Sequence, residues 1–404
     1  MKSYLLISSI LFSSFCATEN WLISPSDNSQ EEIQEALILA EPGDVIKLSE
    51  GFYELMHGLS LDVDDVSIIG AGEDKTILNF QNQVSSAQGL LVTSDRVLLK
   101  DFAIEDAKGD AVKSKGSDQI SFINLRTEWT NGPDSNNGAY GIYPVESKKV
   151  LIDGCIAIGA SDAGIYVGQS EQIIVRNTLA KFNVAGIEIE NSYYADVYNN
   201  IATNNTGGIL VFDLPNLPKQ GGKFVRVFNN KSFNNNTSNF APEGNIVGEV
   251  PSGTGLVIMA NSHVEVFNNE FSDNSTIHIA VVSGDLESGD ENYYPHPKSI
   301  QIHNNSYSNV GYAPDIERGD LSKLLVEIAD GEMPDVIWDG VLPLSQALLG
   351  QPSDEKLILN ESSSIKFLNL DALWYFLFSY FHSPNRDKTD FSGDIIALPE
   401  VKEW

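Results

Sequence analysis

Cysteine is scarce in this chain of 404 residues, which contains only Cys16 and Cys155. Cys16 lies in an N-terminal segment that we expect to be either removed or acylated, so Cys155 is left without a partner. A fold held together by a framework of disulfides is therefore excluded. Cys155 directly follows a predicted turn at Gly154, and we expect its thiol to be packed in the interior.

Basic residues are also few, with 25 Lys and Arg against 56 Asp and Glu, and the formal net charge is −31. Such a charge repels nucleic acid and anionic membrane surfaces, so neither is expected as a partner. Hard cations take oxygen ligands, which leaves Ca²⁺ open as a cofactor, although no loop of the EF-hand type is present. The six histidines form no His-x-His or Glu-x-x-His pattern, so we predict no zinc or iron centre.

Long apolar runs are missing after the N-terminus, so we expect no membrane span. At the N-terminus, Lys2 precedes a mostly apolar run at 4–15 and then small or polar residues, which is typical of a secretory signal peptide. We predict that residues 1–17 are this signal and that the protein is secreted or periplasmic. The alternative is a lipid anchor on Cys16, as in an outer-membrane lipoprotein.

What the chain does contain is an internal repeat. Segments that begin with a small residue and continue with alternating apolar residues recur every 22 or 23 residues, and three of them begin at Gly164, Gly186 and Gly208. A fixed period in this range indicates stacked structural units. The runs alternate like β-strands, and no helical pattern separates them. The sequence therefore predicts an all-β fold, a right-handed parallel β-helix over residues 18–310 in which each repeat is one coil.

A second column of residues ends a β-branched run in each repeat. An asparagine side chain both donates and accepts hydrogen bonds, so asparagines at one position of successive coils can form a ladder. We predict such a ladder at Asn124, Gly154, Asn177, Asn200, Asn230, Asn269 and Asn305.

The two ends of the chain differ from the repeats. Residues 30–40 place apolar side chains on one helical face after Ser29, which predicts an N-terminal helix with Ser29 as its N-cap. The end of a β-helix exposes unpaired strand edges and an apolar interior, and we expect this helix to cover them. Beyond residue 310 the repeat stops, so residues 311–404 are predicted to form a C-terminal α+β appendage that caps the last coils.

The N-terminal region also resembles a known family. The runs IQEA at 33–36, PGDVIKL at 42–48 and GFY at 51–53 look like the first coil of β-helix proteins of the pectin-lyase-like superfamily. The coils up to about residue 310 are similar to its carbohydrate-binding and sugar-hydrolase group, which includes mannuronan C5-epimerases. The resemblance implies the β-helix fold and a polysaccharide ligand. The Asp-Pro-His-Asp motif of those epimerases does not occur here, and one fold hosts many activities.

Strand geometry predicts which side chains share a face. The apolar second and fourth positions of each repeat should point inwards, so the third position points outwards. Neighbouring coils are about 4.8 Å apart, which gives an outward row roughly 14 Å long over four coils. Tyrosines offer flat faces to sugar rings, lysine can neutralise a uronate carboxylate, and glutamate can act as an acid or base. We predict that the catalytic residues are Lys113, Tyr143, Tyr166 and Glu188, with one of the two tyrosines moving the proton.

Five further residues are predicted to bind substrate around this row. Two of them follow a row residue by two positions and therefore face the same way. Three lie beside, within or at the end of an insertion at 130–140, and loops on a rigid scaffold often carry specificity. These residues are Lys115, Arg126, Asp134, Tyr140 and Glu190.

These features predict a protein that binds a polysaccharide, an acidic glycan among the options, along an outer strand face. The chemistry expected is that of a uronan lyase or C5-epimerase, and a glycoside hydrolase is a further enzymatic option. Sequence leaves open whether the protein turns over a substrate. The alternative from another class is a non-enzymatic scaffold whose residues 311–404 dock a protein partner.

Overall fold

A computed structural model describes residues 20–317, 319–378 and 383–404. The predicted signal peptide and the predicted lipid anchor at Cys16 lie outside the described residues, so both stay predictions. No helix in the described part of the chain is long and apolar enough to cross a membrane.

Three parallel sheets wind around one axis, which confirms the predicted right-handed parallel β-helix. Each coil contributes one strand to sheet A, then one to sheet B and one to sheet C, and each strand pairs in parallel with its equivalents in the neighbouring coils.

Within each sheet the strands follow one another in chain order along the axis. Sheet A consists of β1 (Asn20–Ile23), β2 (Val45–Leu48), β5 (Ser67–Ile69), β8 (Val97–Lys100), β11 (Asp118–Ile123), β14 (Lys148–Asp153), β17 (Glu171–Arg176), β20 (Tyr193–Tyr198), β23 (Lys223–Phe228), β26 (Ser262–Phe267), β29 (Lys298–His303) and β32 (Ile358–Asn360). Sheet B consists of β3 (Gly51–Glu54), β6 (Thr76–Asn79), β9 (Ala103–Glu105), β12 (Arg126–Glu128), β15 (Ile156–Ile158), β18 (Leu179–Lys181), β21 (Ile201–Thr203), β24 (Lys231–Phe233), β27 (Glu270–Ser272) and β30 (Ser306–Ser308). Sheet C consists of β4 (His57–Leu61), β7 (Ser85–Val92), β10 (Asp110–Lys115), β13 (Tyr140–Val145), β16 (Ala163–Gly168), β19 (Ala185–Glu190), β22 (Gly207–Phe212), β25 (Thr254–Met259), β28 (Ile277–Val282), β31 (Val336–Trp338) and β33 (Phe367–Asn369). The helices are α1 (Ser29–Leu39), α2 (Gly319–Ala329), α3 (Leu344–Leu349) and α4 (Ala372–Leu377), with 3₁₀ turns at Ile246–Glu249 and Thr389–Phe391.

Columns of apolar side chains fill the interior, one residue per coil. Ile142, Ile165, Ile187 and Ile209 pair in register on successive strands of sheet C and are fully buried. The Cys155 thiol is also fully buried, as expected. Burial contributes about 25 cal/mol per Å² of apolar surface, so the repeating columns are the main source of stability.

Several sheet C strands carry a glycine as their second residue. A Cβ atom at Gly141, Gly164 or Gly186 would lie 2.4 to 2.6 Å from an atom of a neighbouring part of the fold, so only glycine fits. The strict alternation of the strand breaks there. As a result, Ala163 and Ala185, which precede two of these glycines, pack in the apolar cluster on the outer face of sheet C.

The predicted asparagine column is two adjacent columns. Asn124, Gly154 and Asn177 have φ values of 49°, 68° and 55° and are turn residues in the left-handed region, like Asn199 and Asn229 in later coils. The ladder itself lies one residue further along the chain. In it each Nδ2 donates to the next Oδ1 at 2.9 to 3.0 Å, through Asn200, Asn230, Asn269 and Asn305. The 23-residue gap from Asn177 to Asn200 is one residue longer than the 22-residue coil, so the predicted column wrongly joined the two.

A second ladder was not predicted. Asn183, Asn205, Asn235 and Asn274 stack between sheets B and C with Nδ2 to Oδ1 distances of 3.0 to 3.2 Å. It ends at the buried imidazole of His278, whose Nδ1 lies 3.1 Å from the Asn274 amide. Each asparagine satisfies polar groups of the coil beside it, so the turns can be buried without unpaired amides.

Replacing Asn230 with alanine is expected to lower the free energy of unfolding by about 3 kcal/mol, because the main-chain and side-chain N–H groups of Asn200 lose their acceptor and the Val197 carbonyl and Asn269 Oδ1 each lose a donor. The matched control is Asn229→Gly at the neighbouring exposed turn position, which should be nearly neutral since its φ is 55°. Urea denaturation measures both. Equal losses for the two variants would contradict the assignment of the ladder.

The N-terminal helix caps the β-helix, as predicted. Ile33, Ala36 and Leu37 of α1 are buried on the first coils, and the side chains of Gln30 and Gln34 accept hydrogen bonds from the free edge of β4. The predicted N-cap was wrong by one residue. The helix begins at Ser29, and the Ser29 hydroxyl donates to the carbonyl of Ser26 instead of capping the helix.

The C-terminal segment adds strands as well as covering surfaces. β31 and β33 extend sheet C and β32 extends sheet A, so all but sheet B continue past residue 310. Helix α2 packs on the outer face of sheet C. The last residues cross the outer face of sheet A, where the main-chain amides of Leu398 and Val401 donate to Glu265 and Asp196.

Candidate functional site

The predicted catalytic residues form one row on the outer face of sheet C. They lie on consecutive strands, with Lys113 paired to Tyr143 and Tyr166 paired to Glu188. The ring centroids of Tyr143 and Tyr166 are 4.9 Å apart, which is one coil spacing. The strand geometry therefore brings these four residues together as predicted.

Tyr140, predicted to bind substrate, joins the row because the alternation of the strand breaks at Gly141. Its ring centroid lies 4.4 Å from that of Tyr143 and 4.7 Å from that of Tyr166. The three rings make an aromatic cluster, and Lys113 Nζ lies 4.2 Å above the centroid of the Tyr143 ring. Flat rings and one cation in this arrangement suit the faces and hydroxyl groups of a sugar.

Two carboxyl groups contact the tyrosine cluster. The Tyr166 hydroxyl donates to Glu190 Oε1 at 2.7 Å. The Tyr140 hydroxyl lies 3.4 Å from Asp162 Oδ2, which also accepts a hydrogen bond from Asn245 Nδ2 at 2.9 Å. Asp162 is 7% exposed and Glu190 is 6% exposed, so both carboxyls are largely out of water.

Burial tunes the protonation of this pair. Burial, together with the negative charge of Glu190, raises the pKa of Asp162 to about 7. Burial also raises the pKa of Glu190 to about 7, against the hydrogen bond from Tyr166, which lowers it. The pKa of the Tyr166 hydroxyl lies well above its ordinary value because of burial and then the charges of Glu190 and Glu188. The carboxyls, and not the phenols, can therefore exchange protons near neutral pH.

Glu188 is the most deeply buried member of the row. Its side chain is 1% exposed, and its Oε2 atom has no hydrogen-bond partner within residues 20–317, 319–378 and 383–404. Burial raises the pKa of Glu188, with the charges of Asp162 and Glu190 adding to the effect. An unpaired buried carboxyl costs stability, and groups of this kind concentrate at functional sites.

The row is covered at one end, which differs from the fully exposed face that we expected. Val247 and Val250 of the insertion between β24 and β25 pack against Tyr166 and the sheet, and Leu324 of α2 covers the later coils. At the other end, Lys113 and Tyr143 are only partly buried. The site therefore opens to solvent over Lys113 and Tyr143.

Three predicted substrate-binding residues do not join the cluster. Arg126 belongs to β12 and therefore to sheet B, because the strand after each turn belongs to a different sheet. Its guanidinium pairs with Glu105 at 2.9 Å and with Glu128. Asp134 accepts two hydrogen bonds from Asn136 at 2.8 Å, which hold its own loop.

Lys115 is the third of these residues. It lies on β10 but contacts exposed Glu146 at 3.7 Å. Glu190, two positions after Glu188, is the predicted binding residue that does reach the centre of the site.

The sequence did not lead us to three residues of the site, namely Asp110, Asp162 and Asn245. Asp110 pairs with Lys113 at 3.6 Å, and the Asn245 amide donates to Asp162 beside the tyrosine cluster. A signal was available for the two aspartates, since an Asp-Ala pair opens or precedes the strands β10 and β16. Asn245 reaches the site from a long insertion, and nothing local in the sequence predicts where that insertion folds.

The described part of the chain contains no recognisable metal-binding site. No group of three or more His, Cys, Asp and Glu side chains is arranged there to hold an ion. Ca²⁺ binding therefore stays a prediction from composition.

Comparison with known proteins supports the fold. The family described as right-handed β-helix region matches residues 66–218. No curated protein sequence matches the chain.

Two solved structures illustrate the likeness. The A-module of mannuronan C-5 epimerase AlgE4 from Azotobacter vinelandii is 18% identical with a TM-score of 0.54, over 72% of this chain and 86% of the module. DFA-IIIase from Arthrobacter chlorophenolicus A6, solved without its lid in complex with GF2, is 12% identical with a TM-score of 0.52, over 80% of this chain and 92% of that chain. At these identities the likeness shows the fold alone.

Proposed function

We propose that this right-handed parallel β-helix acts on a polysaccharide and that Asp162 and Glu190 cleave a glycosidic bond at the tyrosine cluster. One observation carries the proposal: two largely buried carboxyls whose pKa values lie at about 7 contact a cluster of three tyrosines whose ring centroids are 4.4 to 4.9 Å apart. The epimerase module of the same fold, whose name gives mannuronan as its substrate, supports a glycan as the substrate class.

The proposed chemistry is acid–base hydrolysis. One carboxyl of the pair, in its protonated form, donates a proton to the glycosidic oxygen as the bond to the anomeric carbon breaks. The other, ionised, removes a proton from the water that attacks that carbon. Since both pKa values lie at about 7, protonated and ionised carboxyls coexist near that pH, as an acid and a base acting together require.

The charge around the pair favours a neutral sugar. The charges of Asp110 and Glu190 act on Asp162, those of Asp162 and Glu190 act on Glu188, and Lys113 pairs with Asp110 at 3.6 Å. A uronate would add a further negative charge to this group whenever the carboxyls are ionised, which costs binding energy.

A uronan lyase or C5-epimerase is the second candidate, and Lys113 favours it. The Lys113 ammonium is partly exposed at the open end of the site, where it could neutralise a uronate carboxylate. The base in this candidate is Asp162 or Glu190 and not Tyr143 or Tyr166, because burial holds the pKa values of the phenols far above neutral pH.

A panel of purified polysaccharides tests the proposal. Dextran, xylan and inulin represent neutral glycans, and alginate and polygalacturonate represent uronans. New reducing ends indicate hydrolysis, ultraviolet absorbance of unsaturated products indicates a lyase, and proton NMR reports epimerisation. The Asp162→Asn/Glu190→Gln double variant controls for contaminating activity. Binding without any turnover would favour the scaffold alternative, and neither binding nor turnover on any glycan would reject the proposal.

We also propose export through the predicted signal at 1–17, since a glycan-active protein of this kind meets its substrate outside the cytoplasm. The mass of the mature N-terminus, measured after expression of the full chain, tests this. Retention of Met1 on the mature protein would contradict it.

A further inference from the structure

We infer that the site binds the end of a glycan chain and not its middle, an inference that rests on the proposed function. A glycan bound at the carboxyl pair could extend along the axis of the β-helix towards either the N-terminal or the C-terminal coils. The protein blocks one of these two directions.

The direction towards the N-terminus is open. The outward residues at one register position of four successive sheet C strands are Ser60, Leu91, Lys113 and Tyr143. Ser60 is exposed and the other three are partly exposed. Four strands span three spacings of about 4.8 Å, so this exposed row of side chains is roughly 14 Å long. A short stretch of glycan can lie on it.

The direction towards the C-terminus is closed within the site, from the coil of Tyr166 onwards. The same register position continues through Tyr166, Glu188 and Leu210, which are 5%, 1% and 0% exposed. Val247 and Val250 pack over this part of the face. A chain lying on Tyr143 therefore meets protein at the next coil.

The covering insertion is joined to the site and is not merely beside it. Asn245 of the insertion donates to the Asp162 carboxylate at 2.9 Å, so a hydrogen bond joins the covering insertion to one of the two proposed catalytic carboxyls. Behind it lies a cavity of about 250 Å³ whose lining is mostly apolar, including Phe212, Val257 and Ile277. A mostly apolar lining offers few partners to the hydroxyl groups of further sugar units, and burying unpaired hydroxyls costs free energy. The glycan must then end at the carboxyl pair.

The size of early products tests this inference on whichever panel polysaccharide reacts. Chain-end cleavage releases short products while the size-exclusion peak of the polymer stays in place. Cleavage within the chain instead shifts the polymer peak to smaller sizes before short products accumulate, and that result would overturn the chain-end inference while leaving the proposed function intact. If no polysaccharide reacts, both fail.

A change in the cover provides a second measurement. Replacement of residues 241–250 by Gly-Ser-Gly removes Asn245 together with the covering residues Val247 and Val250, and we expect mid-chain products to appear in that variant. The matched control is Glu243→Ala in the same insertion, whose exposed side chain should leave the product pattern unchanged. A circular dichroism melt verifies that the shortened protein is folded. A folded variant that still releases only short products would contradict the role given to the insertion.

Discussion

Replacing Glu190 with glutamine is expected to lower the rate of glycan cleavage by about 10²- to 10⁴-fold, the range that proton transfer by a positioned side chain contributes. Glutamine keeps the size of the side chain and still offers an oxygen to the Tyr166 hydroxyl, which donates to Glu190 at 2.7 Å. The loss therefore reports proton transfer and not packing. Initial rates on the panel substrate measure it, and Asp162→Asn should give a loss of similar size.

The control for this result is Glu146→Gln. Glu146 is an exposed carboxylate just after β13 that pairs with Lys115 at 3.7 Å, so its replacement removes a negative charge near the site without touching the tyrosine cluster. We expect an unchanged rate. A Glu190→Gln variant as active as Glu146→Gln would remove the carboxyl pair from the mechanism.

Tyr166 acts through Glu190, and its variant separates positioning from chemistry. The hydrogen bond from Tyr166 lowers the pKa of Glu190, so Tyr166→Phe should move that pKa upwards from about 7. The pH–rate profile should shift to higher pH as a result. A purely structural tyrosine would reduce the rate at every pH and leave the shape of the profile unchanged.

The β-helix itself could be predicted because its information is periodic. A coil of 22 residues repeats its inward isoleucines at fixed intervals, and Ile165, Ile187 and Ile209 stack as the period requires. The turn asparagines were harder, since two adjacent columns carry the same residue type and a spacing alone does not distinguish Asn199 from Asn200. Which of the two asparagines joins the ladder depends on which side-chain amide is buried. Burial is decided by the packing of the whole coil and not by the local sequence.

The site could be predicted only where it follows the period. Lys113, Tyr143, Tyr166 and Glu188 align because strand pairing alone places them. Two other effects break the pattern. The alternation of a strand breaks at a glycine that admits no side chain, and the residue before that glycine lies on the outer face. The insertion at 234–253 packs on the outer face of sheet C. Where it packs depends on tertiary contacts that no local pattern encodes.

The stability of the protein is expected to fall as the pH rises from about 4 to about 7. Carboxyls of an unfolded chain release their protons near pH 4, whereas Asp162 and Glu190 hold theirs to about pH 7 in the folded protein. Between these values the folded state binds more protons than the unfolded state, so each unit of rising pH lowers the free energy of unfolding. Above pH 7 both states have lost these protons and the effect levels off.

Glu190→Gln isolates this effect from the repulsion of the whole acidic chain. A carboxyl whose pKa rises from 4.5 to about 7 loses on the order of 3 kcal/mol of stability on ionisation, and a neutral amide does not. The variant should therefore be more stable than the wild type at pH 8 by about that amount and nearly equal to it at pH 4. Glu146→Gln, which removes an exposed carboxylate outside the tyrosine cluster, controls for the loss of one negative charge. Urea denaturation at both pH values measures the difference. Parallel slopes for the wild type and Glu190→Gln would show that Glu190 ionises normally, and the acid–base role proposed for it would lose its physical basis.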